Sequence, residues 1–564
     1  MIRLTELKLP LDHADSALAE LIAQTLGLAP QQLLHVHVHK RSFDARKHVL
    51  SLVYIAHVEL APEVELALLQ KFAQHPHIGP APDLSYHPPV QAPAQLPRRP
   101  VVVGFGPCGI FAALLLAQMG FRPIVIERGK KVRERTKDTW GLWRKKELNP
   151  ESNVQFGEGG AGTFSDGKLY SQIKDPRHLG RKVMNEFVKA GAPEDILYVA
   201  RPHIGTFKLV KVVEHIREQI IALGGEIRFQ ERVCDLHIED GPAGKQLRGL
   251  VVEQLSDGSR YELEADHVVL ALGHSSRDTL EMLHARGVYL EAKPFSVGFR
   301  VEHPQGMIDR ARHGQHAGHP LLGAADYKLV HHAKNGRSVY SFCMCPGGTV
   351  VAATSEPGRV VTNGMSQYSR NERNANAGIV VGISPLDFLA PGEQPGPGGV
   401  VHPLAGVALQ RRLESQAYVL GGSSYEAPGQ LVGDFVAGRA STAFGEVLPS
   451  YKPGVHLTDL AAALPGYAIE AMREALPAFG KKIRGFDRHD AVLTGVETRT
   501  SSPVRIKRGE DYQSINLRGL YPAGEGASYA GGILSAGVDG IEVAEALARH
   551  MAGLSATRPD RPGP

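Results

Sequence analysis

Apolar residues recur along this chain with two periods, and the switches between them mark out its elements. Alternating positions predict strands over Ile2–Leu9, Leu33–Arg41 and His48–Val58, while wider spacing predicts helices over Ser16–Leu26 and Glu63–His75. This βαββα order predicts most of a ferredoxin-like α+β sandwich over residues 1–76. Residues 77–99 are polar and proline-rich, as an extended connector is. A short apolar strand follows at Val101–Val103, then a glycine-bearing turn and an apolar helix from Ile110 to Met119. Gly120 closes that helix, and a second strand through Pro123–Ile126 ends at Glu127.

The turn Gly104-Phe105-Gly106-Pro107-Cys108-Gly109 supplies G-x-G-x-x-G between strand and helix, the setting in which that spacing carries meaning. Gly104 permits the tight turn, Gly106 lets the backbone approach a pyrophosphate, and Gly109 lets helix and strand pack closely. Pro107 lies inside the motif. The free N–H groups and positive end of the helix would hold the anion, and Glu127, with Arg128 beside it, would face a ribose. The sequence therefore predicts a dinucleotide site.

Four of the six residues in Gly157-Glu158-Gly159-Gly160-Ala161-Gly162 are glycine. Such a backbone is costly to order unless something approaches it closely, so Gly159, Gly160 and Gly162 are expected at the cofactor. Lys168 either balances phosphate or ring charge or is a solvated surface lysine. Ser165 and Asp166 read as turn or capping residues.

Residues 519–544, GLYPAGEGASYAGGILSAGVDGIEVA, give a strand, Gly524-Glu525-Gly526, and a glycine-rich entry to a helix at Gly532 and Ile533. This resembles the second cofactor motif of glutathione-reductase-type flavoproteins, in which an acidic residue meets the ribityl chain; Glu525 stands where those families usually carry Asp. Under the same resemblance Val233 would meet adenine through its main chain, and the Asp266–Ser276 strand, ending in Gly273, would return to the cofactor. QFGEGGAGTFSDGKL (155–169), SFCMCPGGTVV (341–351), NGMSQYSRNERNAN (363–376) and GVETRTSSPVRI (495–506) together resemble the bacterial uncharacterised FAD-dependent dehydrogenase family. That resemblance implies bound FAD and a redox role, and supplies no substrate.

The expected fold is α/β: an FAD-binding Rossmann-type, glutathione-reductase-like domain in two parts, 100–290 and 490–553. A substrate or cap domain of α+β type is expected at 291–489, and a disordered tail at 554–564. No second full G-x-G-x-x-G follows a strand, so a separate NAD(P) domain is not expected, although NAD(P)H docking transiently in the cap remains open.

Four residues are candidates for chemistry. Cys343 and Cys345 lie in VYSFCMCPGGTVVAA, read as two strands around a Pro-Gly-Gly turn with both thiols on one face. They are either packing residues or a redox dithiol, and a metal site would need further ligands at a spacing absent here. Glu497 and Arg499, like Arg505 and Arg300, could clamp a substrate carboxylate or stabilise reduced flavin; the other reading is an ion pair between domains. His274 is structural or a proton donor at the flavin. HVHVHK (35–40) places three histidines on one strand face and is not assigned a metal, so no metal is expected.

Composition narrows the classes. The 564 residues exceed one core, and 43% hydrophobic with 22% charged residues suits a soluble globular protein. With 63 basic and 59 acidic residues the net charge is +4, so no global field marks nucleic acid or membrane as partner. The opening MIRLTELKLPLDHAD lacks a secretory pattern, no apolar run of about 18 residues exists, and four cysteines form no disulfide framework. A cytoplasmic flavoenzyme acting on a small molecule is the expectation. Two other classes stay open: an RNA-acting flavoprotein docking through HKRSFDARKH (39–48), and a redox-sensing protein that passes electrons to a protein acceptor.

Overall fold

The computed structural model describes residues 1–44, 50–242, 244–390 and 392–554, in two compact units. The first comprises Met1–His87 with Lys168–His203; the second comprises Pro88–Gly167 with the chain from Ile204 onward. Part of the basic HKRSFDARKH segment and the start of the strand expected at His48, Pro391 in the glycine–proline loop, and the expected disordered tail from 555 lie outside the described residues.

In the first unit the strands Ile2–Pro10, His35–Asp44, Ser51–Glu59 and Ile78–Pro80 form an antiparallel sheet. Its order is His35–Asp44, Ser51–Glu59, Ile2–Pro10, Ile78–Pro80. Alternation buries Leu52, Tyr54, Ala56 and Val58, and the helices Ala17–Leu26 and Pro62–Lys71 complete a βαββαβ order. The Ile78–Pro80 strand falls where the sequence reads as connector. It is a three-residue edge strand, a position in a sheet where proline is tolerated.

Residues 168–203, expected inside the cofactor-binding segment 100–290, belong to this first unit. The Arg41 N–H donates to the Tyr198 carbonyl (2.6 Å), and the Arg41 carbonyl accepts from the Ala200 N–H (2.9 Å). Long-range pairing of this kind leaves no trace in local periodicity.

The second unit is organised around a five-stranded parallel sheet. Its order is Leu520–Pro522, Val268–Leu270, Val101–Val103, Ile124–Glu127, Glu226–Phe229. The three inner strands are buried throughout, which explains their unbroken apolar runs. The helix Pro107–Gln118 is buried from Cys108 to Ala117. It lies so close to the helix Ile533–Met551 that a Cβ on Gly540 would come within 2.3 Å of the Cys108 carbonyl.

A second, eight-stranded sheet includes Phe295–Pro304, Ser338–Ala352, Asn374–Ile383 and Val492–Glu497. Val492–Glu497, placed by sequence in the 490–553 segment, pairs here with Phe295–Pro304 and Ala427–Leu431. The Pro346-Gly347-Gly348 run is not a turn between two strands. Ser338–Ala352 is one strand with irregular register on both sides of Cys345. Gly347 is there for proximity: at φ +41° its Cβ would lie 1.7 Å from the Arg370 carbonyl.

Candidate functional site

The four glycine-bearing segments singled out in the sequence converge in the second unit. Gly104 and Gly109 back onto each other, a Cβ on Gly109 falling 1.9 Å from the Gly104 carbonyl. Gly160, at φ +60° and ψ −166°, faces Gly106, whose Cα would sit 2.8 Å from a Cβ on Gly160. A Cβ on Gly162 would meet Ile533 at 3.0 Å and Pro107 at 3.4 Å. Gly524 abuts Cys108, and Gly526 abuts the carbonyls of Leu272 and Gly273. The helices starting at Pro107 and Ile533 both begin without a side-chain cap, after Gly106 and Gly532, so their first N–H groups are available to an anion.

Glu127 does more than end its strand. Its buried carboxylate accepts from the N–H groups of Phe105 (2.8 Å), Gly129 (2.8 Å) and Gly157 (2.9 Å). It therefore ties the first glycine turn to the second, and a carboxylate's four acceptor positions leave one for a ribose hydroxyl. Arg128 is committed elsewhere: it pairs with Glu151 and Asp278 and covers the Phe156 ring. Val233, on the strand Glu231–Gly241, is buried in a core cluster that also holds residues of the parallel sheet. Lys168 belongs to the first unit, where it is bridged to His203.

The residue the sequence did not single out is Arg135. Fully buried on the helix Val132–Lys145, it donates to the carbonyls of Asn153, Val154, Gly157 and Glu158 and so clamps the glycine loop from behind. Burial pulls its guanidinium down to about 10 despite Glu127 and Glu158, which leaves it charged at neutral pH. Glu158 holds the next turn, accepting from the Val132 N–H (2.7 Å) and from Arg217 (2.7 Å). Burial drives its carboxyl above the usual range. An arginine in a helix otherwise rich in charge gives no sequence signal that it points inward.

The four candidate catalytic residues separate into distinct clusters. Glu497 pairs with fully buried Arg300 (2.7 Å), whose guanidinium also reaches the Cys343 carbonyl (2.8 Å), Asn376 (3.2 Å) and Asn363 (3.1 Å). Burial opposes the charge on Arg300, but the neighbouring Glu497 carboxylate more than restores it, so the guanidinium is held above its ordinary value. The Glu497 carboxyl is itself pushed up by burial against the pull of Arg300. Cys345 is fully buried, its Sγ donating to the Cys343 carbonyl (3.4 Å). Cys343, at φ +43°, is only half-buried; this turn of the backbone breaks the alternation that would have put both thiols on one face.

Arg499 follows the ion-pair reading. Four of its five N–H donors are taken up by Glu414 (3.0 and 3.1 Å), Ser275 (2.9 Å) and Ser355 (2.7 Å). Arg505 lies on the strand Val504–Ile506, across from Glu291. His274 is buried with its Nδ1 3.5 Å from Glu525 Oε1 and without a hydrogen-bond partner. Among the described residues no group of three or more His, Cys, Asp or Glu is suited to a metal, and no helix is long and apolar enough to cross a membrane.

Comparison with known proteins bears on this arrangement. Residues 294–500 match the family model described as FAD-dependent protein, C-terminal domain-like, and residues 1–61 match a domain of unknown function. A Clostridium beijerinckii protein described only as uncharacterized is 46% identical over 551 residues, covering 96% of this chain and 98% of that protein. Among solved structures, a Cytophaga hutchinsonii flavoprotein/dehydrogenase is 12% identical with a TM-score of 0.33, covering 81% of this chain and 79% of its own. A geranylgeranyl bacteriochlorophyll reductase-like protein of Thermoplasma acidophilum is 13% identical with a TM-score of 0.34, covering 81% and 80%.

Proposed function

We propose that this chain, which belongs to the same family as the uncharacterized Clostridium beijerinckii protein, is an FAD-dependent oxidoreductase. The observation that carries the reading is the close approach of Gly160 to Gly106 at the uncapped start of the helix Pro107–Gln118. Only glycine leaves a channel there wide enough for a pyrophosphate to reach two sets of backbone N–H groups. Arg135 and Glu127 hold the two loops in place before any ligand arrives, so little ordering entropy is lost on binding. Gly524, Glu525 and Gly273 flank the same end of the sheet and would face the flavin side of the dinucleotide. The match of residues 294–500 to an FAD-dependent C-terminal domain supports the choice of dinucleotide.

Bound FAD would supply hydride chemistry at its ring; the chain's part is to bind, orient and place charge. Arg300 and Glu497 keep a fixed ion pair beneath the cysteine-bearing strand. Cys343 is the thiol with exposed surface, and it is the one offered to a substrate. His274, with an unfilled Nδ1, is placed to hold or release a proton beside Glu525. The electron donor is a small organic molecule or a nicotinamide. Anaerobic titration of the purified protein with NADH and NADPH, following the flavin bands, tests which. Bleaching by either makes a nicotinamide the donor, and flavin bands that persist turn the search to an organic donor.

A further inference from the structure

The first unit carries a cluster of cations that the cofactor site does not use. Across three neighbouring strands Arg3, His57 and His37 lie side by side in register, on the face opposite buried Leu4, Ala56 and Val58. The His39 ring stacks on His57, with centroids 4.6 Å apart and planes 14° from parallel. Arg181, from the segment 168–203 of the same unit, places Nη2 2.8 Å from His39 Nδ1. With Nδ1 accepting, the His39 proton sits on Nε2, which is then a donor. His57 is 6% exposed, and its Nε2 is buried without any hydrogen-bond partner. Arg3 has no ion-pair partner among the described residues.

A buried donor without an acceptor costs about 1–3 kcal/mol, and two guanidiniums held near each other repel. Burial, then Arg181 and Arg3, hold the two imidazoles at about 4, so both are neutral near pH 7 and act as N–H donors rather than added charges. Two fixed positive charges with neutral donors between them match a dianion bearing several oxygens. The N-terminal ammonium also reaches this region, but it is already paired with Glu65. Glu59 stands opposite His35, at the end of the strand away from Arg181.

The geometry points to a phosphoryl-binding site in the first unit, with Arg3 and Arg181 holding the charge and His39 and His57 donating to its oxygens. This site is independent of the cofactor reading. It could serve a free phosphate or the terminal phosphate of a nucleotide, and the shared chemistry is the phosphoryl dianion.

Calorimetric titration of the full chain at pH 7.5 and constant ionic strength tests it, with inorganic phosphate and AMP as separate probes. The parent is expected to bind at least one of them, and Arg3→Gln and Arg181→Gln should each weaken that binding by about tenfold or more. AMP binding about tenfold tighter than phosphate would identify a nucleotide; equal affinities would identify the bare anion. Gly106→Val in the second unit should leave the affinity unchanged, which separates this site from the glycine turn. Thermal melts of Arg3→Gln and Arg181→Gln confirm that each is folded. Binding equal to the parent in both folded arginine variants, loss of binding in Gly106→Val alone, or no binding of either probe by the parent would overturn the proposal.

Discussion

Arg499 and Glu414 meet through two hydrogen bonds of 3.0 and 3.1 Å in a setting that exposes neither side chain. Glu414 also takes two bonds from Arg277, at 2.6 and 3.0 Å, so one carboxylate is shared by two buried guanidiniums, and Glu356, 2.7 Å from Arg277, supplies the second negative charge. Burial opposes its charge, yet the two arginines hold the carboxyl well below the usual carboxylate range. Since Arg499 also bonds Ser275, beside the Val268–Leu270 strand, this network fastens the eight-stranded sheet to the parallel sheet.

Glu414→Gln should therefore be costly. It leaves Arg499 without a directly bonded carboxylate and Arg277 with Glu356 alone, at 2.7 Å, for which about 3–5 kcal/mol is the expected loss. Chemical denaturation measures it directly. A change below about 1 kcal/mol would show that the arginines find other partners or water.

His303 gives a pH signature. Burial holds its imidazole down at about 4 against the pull of the Phe486 carbonyl, which its Nε2 meets at 2.6 Å. The folded-state value lies below the unfolded one, so the neutral histidine's contribution is complete above pH 6.5. That contribution is lost as pH falls from there toward 4, up to about 3 kcal/mol. His303→Gln should flatten the fall in stability across that window by about one proton. An identical slope in parent and variant would place the pH dependence elsewhere.

Arg135→Met keeps the length of the side chain and removes the donors to four loop carbonyls. Leaving buried carbonyls unsatisfied should cost at least about 3 kcal/mol. The purified variant should also retain less flavin than the parent, read as the ratio of visible to ultraviolet absorbance. Full retention would mean that the loop holds its shape without the clamp.

The two cysteines should differ in reactivity. Cys345 is wholly buried and Cys343 half-buried, so iodoacetamide applied to the folded protein should modify Cys343 first. Fragment-ion mass spectrometry of the shared peptide distinguishes them. Equal modification at short times would contradict the placement of Cys345.

What the sequence made legible follows from how local each constraint is. Gly104, Gly106 and Gly109 answer to a turn whose requirements lie within six residues, and they stand where the pattern places them. The glycines at 159–162 were legible for the same reason, since a permissive backbone is visible in composition alone. The partners of Glu127 were not: a carboxylate gathering N–H groups from Phe105 to Gly157 depends on two loops meeting in space. Arg135 was hidden because a charged helix gives no sign of which arginine turns inward. Pro346-Gly347-Gly348 misled because glycine serves turns and close approaches alike, and only Arg370 across the strand decides between them. The attachment of Lys168–His203 to the first unit rests on pairings such as Arg41 with Tyr198, far apart in sequence.

The most direct test of the central claim is to denature the purified protein and identify what it releases. The account predicts one FAD per chain in the parent, and none in Gly160→Ala, whose added Cβ would close the approach to Gly106. A parent that releases no flavin, or a Gly160→Ala protein that releases as much FAD as the parent, would contradict it.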